Sequence, residues 1–246
     1  MKHAIASLTV LALAATASTH AQTQGKLLPE SRPLFAVTDP GGASIMFLYR
    51  ADRRQFKGPD TGLDVDSQHA ALRAGYVVGG FLQPWAQLGW AQADHRDESG
   101  DGGIEWSVGA TALLLEHALR VSPVVGNQES LRLELDASYE QAESDFENED
   151  FRWSEFNLVP SVRYTRNNAG DSLRQAYHPA SVSLQLGLVW SSMDGDYGDT
   201  ALSERNSLGY LAATDILLGS GWVARLSGTF FDTNDRKILF AAGYHF

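Results

Sequence analysis

RKILFAAGYHF, residues 236–246, is the stretch on which the reading of this chain turns. Ile238, Phe240, Ala242, Tyr244 and Phe246 alternate with Lys237, Leu239, Ala241, Gly243 and His245. That period of two puts the first set on one face of a β-strand. The set is uncharged and ends on an aromatic ring. An apolar strand face must be covered, either by a protein core or by lipid.

The same alternation recurs upstream, giving ten predicted strands. They run roughly over Gly42–Arg50, Gln68–Val78, Phe81–Gln92, Ile104–Glu116, Ser130–Glu140, Trp153–Arg166, Ala180–Ser191, Asn206–Leu218, Gly221–Phe231 and Lys237–Phe246. In the fifth, Leu131, Leu133, Leu135, Ala137 and Tyr139 alternate with Arg132, Glu134, Asp136, Ser138 and Glu140. Across the ten apolar faces the reading finds no Asp, Glu, Lys or Arg. Lipid imposes that rule, since one Arg or Lys at the bilayer midplane costs roughly 2–4 kcal/mol. The fold class expected is all-β: a single antiparallel up-and-down transmembrane barrel of ten strands, with eight or twelve as alternatives if the connections near His117–Glu129 and Asn167–Pro179 are misread.

Val78-Gly79-Gly80-Phe81 and Leu218-Gly219-Ser220-Gly221 read as tight hairpins. Longer polar stretches, Ala51–Ser67, Ala93–Gly103, Gln141–Arg152, Ser192–Arg205 and Asp232–Arg236, fall at the opposite strand ends and read as loops. With both termini in the periplasm, these acidic loops lie outside the cell. Tyr49, Trp90, Trp106, Tyr139, Trp190, Tyr210 and Phe230 then fall at the external ends of the outward faces. Tyr76, Tyr164, Trp222, Tyr244 and Phe246 fall at the periplasmic ends. Two aromatic girdles result, at the level where amphipathic rings sit among headgroups. Pro84 and Pro160 lie inside predicted strands, and a bulge or an unpartnered carbonyl is expected at Pro160.

The amino end supports this compartment. Lys2, an apolar run over Ile5–Ala17 and Thr19-His20-Ala21 read as a secretion signal ending at residue 21. The Pro-rich residues 22–41 read as a periplasmic segment before a barrel over 42–246. The chain of 246 residues has no cysteine, which excludes disulfides and thiolate chemistry. A formal charge of −11 argues against nucleic acid as a partner.

With this pattern in place, the chain resembles the small porin-like and opacity-like outer-membrane barrels of bacteria. The closing strand carries the likeness through Phe240, Tyr244 and Phe246, and Trp90-Ala91-Gln92-Ala93-Asp94 and Gly103–Gly109 are also similar. The resemblance implies recognition of that closing strand, as an insertion signal, by the barrel-assembly machinery. It also implies integral residence in the outer membrane, with lipid and lipopolysaccharide as partners.

The opposite strand faces are polar. Arg50, Arg73, Arg132, Arg163, Arg225 and Lys237 face Glu105, Glu134, Asp136, Glu140, Glu155 and Asp215 in the expected lumen. Ten strands enclose little more than side chains can fill, so these groups are expected to pair into a salt-bridged plug, narrowed further by Trp85 and Trp153. The function expected is structural or interactive, with external loops meeting a surface partner. A narrow porin for small polar solutes and a rim enzyme acting on lipid or peptide are the alternatives. For the enzyme, His69 and His95 are placed at the rim near Asp94, Asp97, Ser107, Ser138 and Ser191, with no motif linking them.

No cofactor is implied. Acidic runs at Asp94, Asp97, Glu98 and Asp101, at Glu143, Asp145, Glu147, Glu149 and Asp150, and at Asp194, Asp196 and Asp199 complete no metal site. Position twelve of an EF-hand loop counted from Asp194 is Arg205, and from Asp97 it is Val108. Divalent cations bridging these runs to lipopolysaccharide phosphates, with Arg53, Arg54 and Lys57 meeting phosphates directly, is a further expectation.

Overall fold

The computed structural model describes residues 42–58, 62–95, 98–121, 128–146, 150–167, 179–198, 200–218 and 220–246. The signal and the segment over 22–41 therefore lie outside the described residues, as do Asp97, Glu147, Glu149 and Asp199.

Among the described residues there are twelve strands: β1 (Ala43–Lys57), β2 (Gly62–Tyr76), β3 (Leu82–His95), β4 (Glu98–Ser99), β5 (Asp101–Val121), β6 (Gln128–Asp145), β7 (Asp150–Asn167), β8 (Pro179–Tyr197), β9 (Thr200–Glu204), β10 (Leu208–Leu218), β11 (Trp222–Asp232) and β12 (Asp235–His245). All but β4 and β9 are staves of one antiparallel barrel. Each stave pairs with its sequence neighbour, β8 pairs with β10, and β12 pairs with β1 from Ser44↔His245 to Arg53↔Arg236, which closes the ring. Closure leaves no free sheet edge among the staves. The ten-strand expectation holds.

Two turns follow from glycine. Gly79 and Gly80 have φ of 62° and 74°, the doubly left-handed backbone of a tight hairpin, between Val78 and its bridge partner Leu82. Gly221, at φ 90°, turns β10 into β11. Both turns lie at the end of the barrel where β1 begins and β12 finishes, called here the terminal end.

Strand lengths are unequal, and this shapes the far end. Strands β10, β11 and β12 have 11 residues each, about 36 Å of strand, which at a tilt near 40° spans about 28 Å. The other staves continue past the aromatic ring at that height: by six residues in β6 (Tyr139 to Asp145), seven in β8 (Trp190 to Tyr197) and eight in β1 (Tyr49 to Lys57). Above the short staves, β9 fills the gap. It pairs with β8 on one side and with Phe56 and Lys57 of β1 on the other. The barrel thus narrows from ten strands to a smaller ring.

Most of the sequence predicted as loops at this end is therefore strand. The correction covers Ala51–Ser67, Ala93–Gly103, Gln141–Arg152 and Ser192–Arg205. The physical reason is an inversion of the alternation. Below the aromatic ring, Leu184, Leu186 and Leu188 of β8 are exposed and Ser183 and Gln185 are buried. Above it, Met193 is buried and Asp194 and Asp196 are exposed. On β7, Phe151 and Trp153 are buried beside exposed Arg152. The lower barrel is apolar outside and polar inside, whereas the extension has the ordinary arrangement of a protein in water.

A second irregularity corrects the facing of β5. Strict alternation from Ile104 would put Glu116 on the apolar face. A bulge between Leu113 and Leu115 inserts Leu114 without a partner on β6 and reverses the facing beyond it. Leu115 turns outward, 59 % exposed, and Glu116 turns inward to Arg132 at 2.6 Å. Of the two outcomes expected at Pro160, a bulge or an unpartnered carbonyl, the bulge is absent. The β6–β7 register runs through it unshifted, and the β7–β8 ladder skips Val159 and Pro160. Pro84 lies just past the last β2–β3 pair, Gly75↔Trp85, where no ladder bond is lost.

Candidate functional site

The interior carries the chemistry, arranged in tiers. At the far end Phe56, Val65, Ala91, Ala93, Ala142, Phe151, Trp153, Met193 and Leu202 form one buried apolar cluster, with Leu63, Phe146 and Tyr197 packed on it. Phe151 stacks on Trp153 at 4.8 Å and meets Phe56 edge-on at 5.6 Å. These side chains come from β1, β2, β3, β6, β7, β8 and β9, so the cluster joins the walls across the lumen.

Beneath it lies Arg54, 2 % exposed. Its guanidinium reaches Glu155 at 3.3 Å, Glu204 at 2.7 Å and Asp235 at 3.1 Å, and lies 4.1 Å from the centre of the Phe231 ring. Lys237 also pairs with Glu155. Arg54 thereby ties β1 to β7, to β9 and to the β11–β12 hairpin. Burial pushes the carboxyls of Glu204 and Asp235 above their ordinary range, against the opposing pull of Arg54.

The next tier holds Arg50, Asp52, His69, Glu105 and Glu140. Arg50 pairs with Glu140 and with Asp52 at 2.8 Å. His69 contacts Glu105 at 2.7 Å through Nδ1 and the Ser67 hydroxyl at 3.0 Å through Nε2. That is the geometry of a hydroxyl, a base and an orienting carboxylate. However, an Arg50 nitrogen sits 3.0 and 3.2 Å from the two ring nitrogens, Asp52 is 3.4 Å from Nε2, and Trp153 packs edge-on against the ring at 6.0 Å. The imidazole is fully occupied by structural partners. His69, 2 % exposed, is thus inside the barrel and not on the rim where the sequence placed it. His95 is elsewhere, bonding the Asp64 carbonyl at 2.8 Å.

His69, Glu105 and Glu140 are also the one donor group among the described residues compact enough to share a metal ion. Arg50 reaches both His69 and Glu140, so a side-chain cation already serves the position.

Toward the terminal end, Arg163 binds Glu134 at 2.9 Å, Asp215 and the Gln185 carbonyl at 3.0 Å. Arg225 contacts Asp215 at 3.4 Å and Gln185 at 2.8 Å. Arg132 meets Glu116. Between this tier and Arg50 lies a cavity of about 190 Å³, whose wall includes Arg73, Trp85, Asp136, Asn157 and Arg225.

Arg50, Arg73, Arg132, Glu134, Asp136, Glu155, Arg163, Asp215 and Arg225, the interior charges read from sequence, all face the lumen. The balanced list of six and six was too short. Asp52, Arg54, Glu116, Glu204 and Asp235 belong to it, and all five sit beyond the strand limits or phase assumed from sequence. A continued period-two reading of β1, from Arg50 to Asp52, Arg54 and Phe56, was the signal that could have found Asp52 and Arg54.

The outer surface is an apolar belt. Leu72 (60 %), Leu88 (66 %) and Leu186 (68 %) are exposed to an extent unusual for leucine. Tyr49, Trp90, Trp106, Tyr139, Trp190, Tyr210 and Phe230 are exposed toward the far end of the belt, and Tyr76, Trp222 and Phe246 toward the terminal end. In the closing strand Phe240 is 49 % exposed, and Tyr244 packs between Trp222 at 5.8 Å and Phe246 at 5.0 Å.

No protein-family model and no curated protein matches the chain. Solved structures do. The transport unit of the autotransporter AIDA-I from Escherichia coli matches at a TM-score of 0.51 and 11 % identity, covering 95 % of this chain and 97 % of that one. An outer-membrane channel from Pseudomonas putida F1 follows at 0.42 and 9 %, covering 88 % and 99 %. Ail, the attachment invasion locus protein of Yersinia pestis, matches at 0.29 and 12 %, covering 85 % and 100 %. Of these three, the first is close enough to bear on the fold, and it agrees with the barrel described above. The chain has the fold of a small bacterial outer-membrane β-barrel.

Proposed function

We propose that the protein is a closed outer-membrane barrel whose far end, outside the cell, forms a rigid acidic turret for contacts at the cell surface. The carrying observation is the apolar cluster around Phe151 and Trp153. Packed aromatic and aliphatic side chains offer no path for hydrated ions, and the Arg54 tier beneath them is fully engaged in ion pairs. In this reading β1 begins and β12 ends on the periplasmic side, where Phe240, Tyr244 and Phe246 serve as the insertion signal. The aromatic rings at the two ends of the belt sit among lipid headgroups. No reaction is assigned, because His69 is enclosed by Arg50, Asp52 and Trp153.

The turret exposes Asp64, Asp66, Asp145, Asp150, Asp194 and Asp196 together with Arg53, Lys57 and Arg152. Mixed charge on stiff strands suits contact with lipopolysaccharide phosphates, directly through the basic groups and through divalent cations on the acidic ones. Conductance of the purified protein in planar bilayers tests closure. Wild type is expected to give no steady current, and Phe151→Ser with Trp153→Ser is expected to open one. A steady single-channel current from wild type would overturn the reading in favour of a narrow pore.

A further inference from the structure

Among the described residues, ion pairing in the lumen is nearly complete, and its two exceptions meet in one place. Arg50, Arg54, Arg132, Arg163, Arg225 and Lys237 each contact a carboxylate. Asp52, Glu105, Glu116, Glu134, Glu140, Glu155, Glu204, Asp215 and Asp235 each contact a basic side chain. Arg73 and Asp136 take part in no ion pair among the described residues. Arg73 donates through Nε and one terminal nitrogen to the Gln87 side-chain carbonyl, at 3.1 and 2.9 Å, and stacks 3.9 Å over the Trp85 ring. Asp136 accepts from the Thr111 hydroxyl at 2.7 Å. Both line the same 190 Å³ cavity, with Trp85 and Arg225 beside them.

An unpaired charge inside a barrel is costly, and removing both partners would relieve that cost. Among the described residues every other luminal arginine or lysine contacts a carboxylate and every other luminal carboxylate a basic side chain, so one cation and one anion left facing a shared hollow have the makings of a receptor for a molecule with both signs. We propose that this cavity binds a small zwitterion of the size of a free amino acid. Its carboxylate would meet Arg73, with Arg225 alongside, and its ammonium would meet Asp136. Planar guanidinium suits a carboxylate. The cavity holds several waters or one such solute, which limits the ligand to this size class. The apolar cluster closes the cavity toward the far end and the Arg163 tier stands between it and the terminal end, so a solute would reach it from that side past Arg163 and its partners. The proposal is independent of whether the barrel conducts.

Titration calorimetry on the refolded full-length protein in detergent tests it, using glycine, L-serine and 4-aminobutanoate as zwitterions, acetate as anion alone and ethylammonium as cation alone. At least one zwitterion is expected to bind saturably, with acetate and ethylammonium weaker by about ten-fold or more, one charge-assisted contact being lost in each case. Arg73→Gln and Asp136→Asn are each expected to lose about ten-fold or more, and Arg73→Lys less. Heat-modifiable migration on gels confirms that each variant is folded. Should a single variant fail to fold, the double variant Arg73→Gln/Asp136→Asn, which leaves no lone charge, must still lose binding. Absence of saturable zwitterion binding by folded wild type, equal binding of acetate, or retained affinity in the folded variants would each overturn the proposal.

Discussion

Strand β8 passes through three environments within nine residues, which allows one substitution, to arginine, to report on all three. Leu186 is 68 % exposed in the middle of the apolar belt, between Val162 of β7 and Ala212 of β10. Met193 is 5 % exposed inside the far-end cluster. Asp194, the next residue, faces outward above the belt. If water wets the whole outer surface, Leu186→Arg is a surface change worth at most about 0.5 kcal/mol. If lipid wets the belt, the same change costs roughly 2–4 kcal/mol, about 30- to 900-fold in the folding equilibrium. Met193→Arg buries a charge among Phe151 and its neighbours and is expected to cost several kcal/mol. Asp194→Arg is expected to stay within about 0.5 kcal/mol. Reversible guanidinium unfolding in phospholipid vesicles, followed by tryptophan fluorescence, measures all three. A neutral Leu186→Arg would refute the lipid-facing belt. A neutral Met193→Arg would refute a packed core above it.

Two further outcomes follow from the interior. Because burial raises the carboxyls of Glu204 and Asp235, the folded state binds their protons more readily than the unfolded chain does. Their contribution is therefore unfavourable at neutral pH and improves as pH falls through the raised values toward the ordinary 4.5 and 3.8. The Glu204→Gln/Asp235→Asn variant should gain less stability than wild type as pH falls from 7 toward the ordinary carboxylate values, measured by unfolding at each pH; identical pH profiles would contradict it. Glu116→Leu removes the carboxylate that Arg132 meets at 2.6 Å and is expected to cost about 3 kcal/mol if the bulge turns residue 116 inward; the same unfolding assay would show no loss if residue 116 faced the outer belt.

How far the sequence could be read depended on which boundary each residue faces. Within the belt, one side of every stave meets a continuous apolar medium, so a local period of two reveals the face without knowledge of any partner strand. Leu131 to Tyr139 on β6 and Val182 to Trp190 on β8 were legible for that reason. The Gly79-Gly80 turn was legible because its backbone excludes most side chains. Past the belt the alternation persists with its sign reversed, so a search for the uncharged outer face loses Phe56, Phe151 and Met193 and reports loops. Leu114 hides its effect in a similar way, since an added residue in a run of three leucines leaves no mark on composition.

By itself the sequence determined an all-β chain, its turns, and which residues share a face in the lower barrel, because these are set by neighbours two residues away. Only the tertiary structure decided that the far end narrows and packs a core, since β9 must reach β1 across about 150 residues of chain, as the Arg54–Glu204 pair does. It alone decided which luminal charges are paired and which two are left facing a cavity. Electrostatic partnership depends on distance across the barrel, and no local pattern encodes that distance.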